Sequence, residues 1–208
     1  MVRVLEKVER RVGEKLFLKG DRCLGPKCAV VRHGQRPGVH GKGGRRRRDT
    51  SEYGSLLQEK MKMRYYYGLD DRDVKRYVKK AALQTGIFHA NMMRALERRL
   101  DSVVFRLGFA VSRRQARQAV SHGHILVNDR RVTVPSYAVT IGDRMRIKEG
   151  SLASSLFKEL STRLRGYEAP KYLALHKESL VGELLALPEF EESQVMFDAT
   201  KVKEFYSR

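Results

Sequence analysis

Apolar residues recur along this chain first at helical spacing and later in short alternating runs. Between Thr50 and Gly68, Tyr53, Leu56, Leu57, Met61 and Tyr65 fall on one helical face, and Val74, Tyr77, Val78, Ala81 and Ala82 form the next, opened by Asp70 and Asp71. Met92, Met93, Leu96, Leu100, Val103, Val104 and Leu107 predict a third helix, with the methionines as core filler. Gly108 can end it. Ser112 followed by Gln115 is a capping box, Gly123 is a stop, and Ala116, Ala119 and Val120 give the short helix between them a narrow apolar stripe. The period then changes: His124 to Val127 and Arg131 to Val134 flank Asn128-Asp129, a tight hairpin turn. Gly142-Asp143 turns the chain into Arg144 to Lys148, where Met145 and Ile147 alternate with basic residues. Leu152, Leu156, Leu160 and Leu164 predict another helix, and Asp198 opens a short last one. The run Tyr65, Tyr66, Tyr67 could stack on bases, but at helical spacing at least one ring must point inward, and packing accounts for most of it. No internal repeat is visible, and the class is α+β.

Composition narrows the partner. The 208 residues, 41% hydrophobic, suit one large or two small domains with real cores. Against 24 Asp plus Glu stand 43 Lys plus Arg, a formal charge of +19 that concentrates polyanions and releases their counterions on binding. Nucleic acid fits this field. An anionic membrane is the competing polyanion, yet no apolar run approaches the roughly 18 residues of a spanning helix and no signal-like segment follows Met1. Two cysteines are too few for a disulfide framework and suit a reducing, cytoplasmic setting.

The densest chemistry lies between Arg106 and Asn128, RLGFAVSRRQARQAVSHGHILVN. With Ala116, Ala119 and Val120 turned to a core, Arg113, Arg114 and Arg117 are left for the solvent side. Two of them sit in the first helical turn, where exposed N–H groups and the macrodipole are already positive, so an anion is expected there. A phosphate held by those N–H groups, the Ser112 hydroxyl and the guanidinium forks is one reading. A merely solvated basic face is the other.

Both ends of the chain are charged, with opposite sign. Arg32 to Arg48 carries seven Lys and Arg, no acid, five glycines and a proline, and predicts a coreless arm that orders on contact. A disordered solubilising tail or a nuclear-localisation-like cluster has the same composition. From Glu178 onward, seven acids face three basic residues, which suits a protein contact, or an exposed tail, rather than phosphate.

The segment RRLDSVVFRLGFAVSRRQARQAVSHGHILVN resembles a recognition motif shared by small-ribosomal-subunit protein S-four, some pseudouridine synthases, tyrosyl-tRNA synthetases and a heat-shock RNA-binding protein. GPKCAVVRHGQRPGVHG, EKMKMRYYYGL and the ending EFYSR resemble the bacterial ribosomal protein S-four family in particular, and all four motifs stand in that family's order. The resemblance implies a basic arm over residues 1–48, a mainly helical domain from 49–97 plus about 178–208, and an inserted RNA-binding domain over 98–177. That inserted domain would hold two helices and a short antiparallel sheet. It implies binding to small-subunit rRNA at a multi-helix junction of the 5′ domain and nucleation of the subunit body. It also implies a place beside the tunnel through which mRNA enters, and a contact with ribosomal protein S-five linked to accuracy. Carried onto this sequence, the RNA-binding residues are Ser112, Arg113, Arg114, Arg117, His122 and His124 in the inserted domain. In the arm they are Arg32, Arg36, His40, Lys42, Arg45, Arg46, Arg47 and Arg48, while Glu189, Glu191 and Glu192 suit the protein contact.

Metal-binding members of that family carry four arm cysteines; here Cys23 and Cys28 remain, and Glu6 and Glu9 stand near the upstream positions. Cys23, Cys28, His33 and His40 could supply two sulfurs and two nitrogens to zinc, but Gly-Pro inside the cysteine loop and the place of His40 in the RNA-facing stretch argue against it. No metal or other cofactor is expected. An RNA-modifying enzyme bearing this module would need a further domain with a catalytic pocket, and no nucleophile elbow, phosphate-cradling loop or metal dyad is present. A free-standing assembly or stress factor is the other class, separable by whether the protein sediments with mature small subunits in high salt.

Overall fold

The computed structural model describes residues 5–38, 51–188 and 196–207. In chain order its elements are helices α1 (Leu5–Val12), α2 (Ala29–Arg32), α3 (Glu52–Tyr66), α4 (Asp71–Leu83), α5 (Phe88–Glu97), α6 (Leu100–Arg106) and α7 (Arg113–Ser121). Strands β1 (Ile125–Val127), β2 (Arg130–Arg131) and β3 (Arg144–Ile147) follow, then α8 (Leu160–Arg165), β4 (Leu173–His176), β5 (Val181–Leu184) and α9 (Ala199–Ser207). They form two compact units, residues 1–88 with 195–208, and residues 89–194. The candidate residues His40, Lys42, Arg45, Arg46, Arg47, Arg48, Glu189, Glu191 and Glu192 lie outside the described residues.

In the first unit α3 is the axis. Ser51 caps it, its hydroxyl accepting from Gly54 N at 3.2 Å, and Leu56, Met63 and Tyr66 are its buried apolar residues. This corrects the expected face, since Tyr53 is exposed and Leu57, Met61 and Tyr65 are half-buried. Apolar residues occur almost evenly round α3, and its neighbours α1 and α9 decide which of them are covered. The α9 contact is specific: Asp198 N donates to Glu59 Oε2 at 2.8 Å, Lys201 Nζ reaches Ser55 Oγ at 3.2 Å, and Tyr53 packs on Phe205 with ring centroids 5.7 Å apart. Tyr66 and Tyr67 of the tyrosine run are buried, as packing requires.

The arm is folded where it is described. The arm of residues 1–48, expected to have no core of its own, builds one ahead of the glycine-rich basic run: Val8, Val12, Leu16, Cys23 and Cys28 are buried together with Glu9. The Glu9 carboxylate satisfies the amides of Leu16 and Leu18 at 3.2 and 3.0 Å, so the chain can turn inward there without stranding polar backbone. Gln58 Nε2 donates to Val12 O at 3.1 Å and Lys62 Nζ to Glu14 at 2.7 Å, tying this segment to α3.

The second unit is a five-stranded antiparallel sheet in the order β2-β1-β3-β5-β4, packed with helices around one core. Phe109, Ile125, Leu107, Met145 and Leu160 are among its fully buried side chains, each stabilising by roughly 1.5–3 kcal/mol. The single helix expected from Met92 to Leu107 is two, α5 and α6. Arg99 leaves the helical region with ψ at 138°, its guanidinium bonds Asp101 at 2.9 Å, and the backbone here pairs with the chain near Ala138. Only Leu160–Arg165 of the expected leucine helix is helical; Leu152 is exposed. Strands β4 and β5 lie in a stretch partly expected in the helical domain, yet β5 pairs with β3 through Met145 opposite Gly182. Leu107 fills the place a side chain at Gly182 would need, which fixes glycine there.

Candidate nucleic-acid interface

Local chemistry sets both ends of α7. Ser112 Oγ accepts from Gln115 N at 3.3 Å, and Gln115 Oε1 reaches back to Val111 N at 2.7 Å, a reciprocal cap displaced by one residue from the usual box. At the other end Gly123, with φ at +73°, donates to Val120 O at 2.8 Å while His124 N donates to Ala119 O at 3.0 Å, a Schellman closure. The chain passes directly into β1. Asn128 and Asp129, at φ of 48° and 65°, then make the two-residue turn that brings Arg130 and Arg131 back beside Val127 and Leu126. Asp143 steadies that turn from below: its carboxylate takes Asn128 Nδ2 at 2.7 Å and both the N–H and hydroxyl of Thr140 at 2.8 Å.

The sequence motif divides into two faces. Arg114 and His122 are exposed, Arg117 is half-buried, and Arg130, Arg131 and Lys148 add exposed cations around the α7–β1 turn. His124 sits among them, half-buried, with Nδ1 2.9 Å from Ser151 Oγ and its ring edge-on to Phe157 at 5.9 Å between centroids. Burial, then the positive charges of His122, Arg131 and Lys148, hold its pKa below the ordinary histidine value. The geometry brings these groups together: the His122 and His124 ring centroids are 5.9 Å apart, Arg131 Nη2 reaches His122 O at 3.3 Å, and Lys148 N donates to His124 O at 2.9 Å. Arg130, Arg131 and Lys148 were not singled out from sequence, although the hairpin register was the signal that could have found them. Arg146 contributes less, being paired with Asp129 at 2.7 Å and Glu149 at 3.6 Å.

Arg113 and Ser112 depart from the expected solvent side. The Arg113 side chain is 9% exposed, bonded to the fully buried Glu97 at 2.8 Å and stacked over Phe105 at 4.7 Å. Ser112 is buried and its hydroxyl is the helix cap. The anion called for by a cationic first turn is, for Arg113, an internal carboxylate.

In the first unit, Arg32 and Arg36 line a concavity of about 810 Å³ with Arg10, His33, Gly34, Gln35 and Gly38. Arg10 Nε bonds the carbonyls of His33 and Gln35 at 2.9 and 3.0 Å, holding the segment around its guanidinium. Sequence reasoning missed Arg10, which stands on α1 far from the basic run.

Residues 5–97 match the ribosomal protein S4/S9 N-terminal domain family, and residues 98–145 match the S4 domain family. Small ribosomal subunit protein uS4 of Desulfitobacterium hafniense is 45% identical over 199 residues, covering 96% of this chain and 94% of that one. The uS4 proteins of Syntrophomonas wolfei and Thermus thermophilus are 43% and 44% identical over the same span and coverage. The chain belongs to the ribosomal protein uS4 family.

The S4 domain match runs from the end of α5 through α6 and α7 into β3, and so contains the arginine helix and its hairpin. The four-cysteine zinc site that the family resemblance implies for some members does not fit the residues present. Both oxygens of the Glu9 carboxylate lie 3.8 Å from Cys23 Sγ, and one of them already serves two amides. Burial first, and then the charge of Glu9, push the Cys23 thiol up, away from the thiolate a metal requires. His33 is exposed, and no group of three or more metal-capable side chains occurs among the described residues. Among those residues, too, no helix of this uS4-family chain is long and apolar enough to cross a membrane.

Proposed function

We infer that this chain is an rRNA-binding structural constituent of the small ribosomal subunit, gripping RNA backbone with the outer side of α7, the α7–β1 turn and the β1–β2 hairpin. It is a ribosomal protein and not an enzyme. The observation that carries the interface is the gathering of the exposed Arg131 and Lys148 around the His122–His124 pair at the C-terminal end of α7, with Arg114 exposed at the other end of the same helix. These cations are presented by regular elements with little freedom to lose, which suits shape-directed recognition of phosphates and 2′-hydroxyls. The Arg10, Arg32 and Arg36 concavity serves as a second phosphate contact in the other unit. Within this reading the chain binds early at a multi-helix junction of the rRNA 5′ domain, nucleates the subunit body and stands beside the tunnel through which mRNA enters. In the same reading the acids Glu189, Glu191 and Glu192 are, by their charge, the contact with ribosomal protein S-five.

Binding of a 5′-domain rRNA transcript, titrated with salt, tests the interface. Affinity should fall steeply with salt, and Arg114→Gln and Arg131→Gln should each weaken binding and lower the log–log slope by about one. Unchanged slopes for both variants would remove α7 and the hairpin from the RNA surface. Charge reversal at Glu189, Glu191 and Glu192 should leave subunit profiles normal and raise stop-codon readthrough; unaltered error rates would place these acids in solvent.

A further inference from the structure

We propose that Glu97 is a positioning residue for RNA recognition: a buried carboxylate strut that aims the first turn of α7, and with it Arg114 and Arg117, at the RNA. The proposal rests on α7 being the RNA-facing helix. Glu97 ends α5, and its side chain is wholly buried. Oε2 takes Arg106 Nε at 3.0 Å, and Oε1 takes Arg106 Nη2 at 3.1 Å and Arg113 Nη2 at 2.8 Å. Tyr172, just ahead of β4, adds its hydroxyl to Oε2 at 3.4 Å. One carboxylate thus joins the ends of α5 and α6, the start of α7 and the edge of the sheet.

Its neighbours leave the α6–α7 turn few ways to move. Tyr167 donates to Arg106 O at 2.8 Å, and Arg163 takes Gly108 O with two N–H groups at 3.1 and 2.9 Å. Arg113 is the first residue of α7, so where its guanidinium is anchored sets the rotation of the helix about its axis. Arg114 is the next residue, about 100° round, and faces outward as a consequence. A cation at a helix N-terminus opposes the macrodipole, and the buried Glu97 carboxylate offsets both charges at once.

Electrostatics and positioning predict opposite signs, which makes the test decisive. Removing an acid from an RNA-binding protein should strengthen binding if only charge mattered. Glu97→Gln should instead weaken affinity for a 5′-domain rRNA transcript roughly tenfold. The loss should be non-additive with Arg114→Ala, which costs less in the Glu97→Gln background because the guanidinium is already misaimed. Near-ultraviolet circular dichroism and a melting curve establish that each variant is folded at the assay temperature. Should Glu97→Gln not fold, the doubly substituted Glu97→Gln, Arg113→Met chain, which keeps the net charge, takes its place with the same expected loss. Binding equal to or tighter than the parent, or strict additivity with Arg114→Ala, overturns the strut. If Arg114→Ala and Arg117→Ala themselves leave affinity unchanged, the RNA-facing assignment of α7 fails instead.

Discussion

The guanidinium of Arg131 lies across the α-carbon of Gly123, in the space a side chain at that position would occupy. Arg131 Nη2 also reaches His122 O at 3.3 Å, so the second strand of the hairpin is laid directly over the end of α7. Gly123→Ala therefore meets two obstacles, a φ of +73° and a displaced arginine. The substitution should cost about 1–3 kcal/mol and weaken rRNA binding beyond what the stability loss explains, because Arg131 must leave the cation cluster. Thermal melts with binding isotherms check it; a stable variant binding normally would mean that Arg131 has no fixed role.

Adjacent arginines of α7 should behave as opposites. Arg113→Glu puts a second carboxylate against Glu97 in a buried site and leaves Arg106 facing both acids, and should destabilise by about 3–5 kcal/mol. Arg114→Glu changes an exposed first-turn cation to the sign the macrodipole prefers, so stability should hold or rise by about 0.3–1 kcal/mol while RNA affinity falls. Denaturant titrations of the two single variants decide the matter. Equal stabilities would contradict the inward placement of Arg113.

What could be read from sequence was what neighbouring residues determine. Ser112 with Gln115, Gly123, and Asn128-Asp129 each name a cap or turn whose geometry is dictated within a few residues, and α7 and the β1–β2 hairpin formed accordingly. The inward turn of Arg113 depends on a carboxylate sixteen positions earlier, on another helix, and nothing in the motif itself distinguishes Arg113 from Arg114. Strands β4 and β5, LALH and VGEL, are four residues each with no clear alternation; β5 becomes a strand by pairing with β3 far back in the chain, and β4 by pairing with β5. Low complexity after Arg32 hid the fold of the preceding residues, where one buried glutamate makes a small core possible.

His124 gives the interface a pH dependence. In the free protein burial and the surrounding cations depress its pKa, so its contribution to stability is present above the unfolded value of about 6.5 and is lost as pH falls below that toward the folded value. Phosphates at this site reverse the cationic field and favour the imidazolium, so RNA binding takes up a proton. Affinity for a 5′-domain transcript should rise severalfold between about pH 7.5 and pH 6 at constant ionic strength. His124→Gln, which keeps a partner for Ser151, should flatten the profile. A variant whose profile superimposes on the parent's would take His124 out of the linkage.

Glu9 is the buried polar centre of the N-terminal segment. Glu9 is 1% exposed, and its carboxylate accepts the Leu16 and Leu18 amides while facing the Cys23 thiol. Glu9→Ala leaves two inward N–H groups without that acceptor and opens space among Val8, Val12 and Leu16, which should cost about 3 kcal/mol. For a chain of this size, melting should then fall by about 6–12 °C. Because the segment is organised by hydrogen bonds and apolar burial, EDTA should leave the melting temperature of the parent protein unchanged. Cys23→Ser, which retains a donor toward the carboxylate, should be tolerated far better than Glu9→Ala. Close to one zinc per chain by elemental analysis, with melting lowered by chelator, would show that Cys23 and Cys28 still hold a metal and that Glu9 serves it.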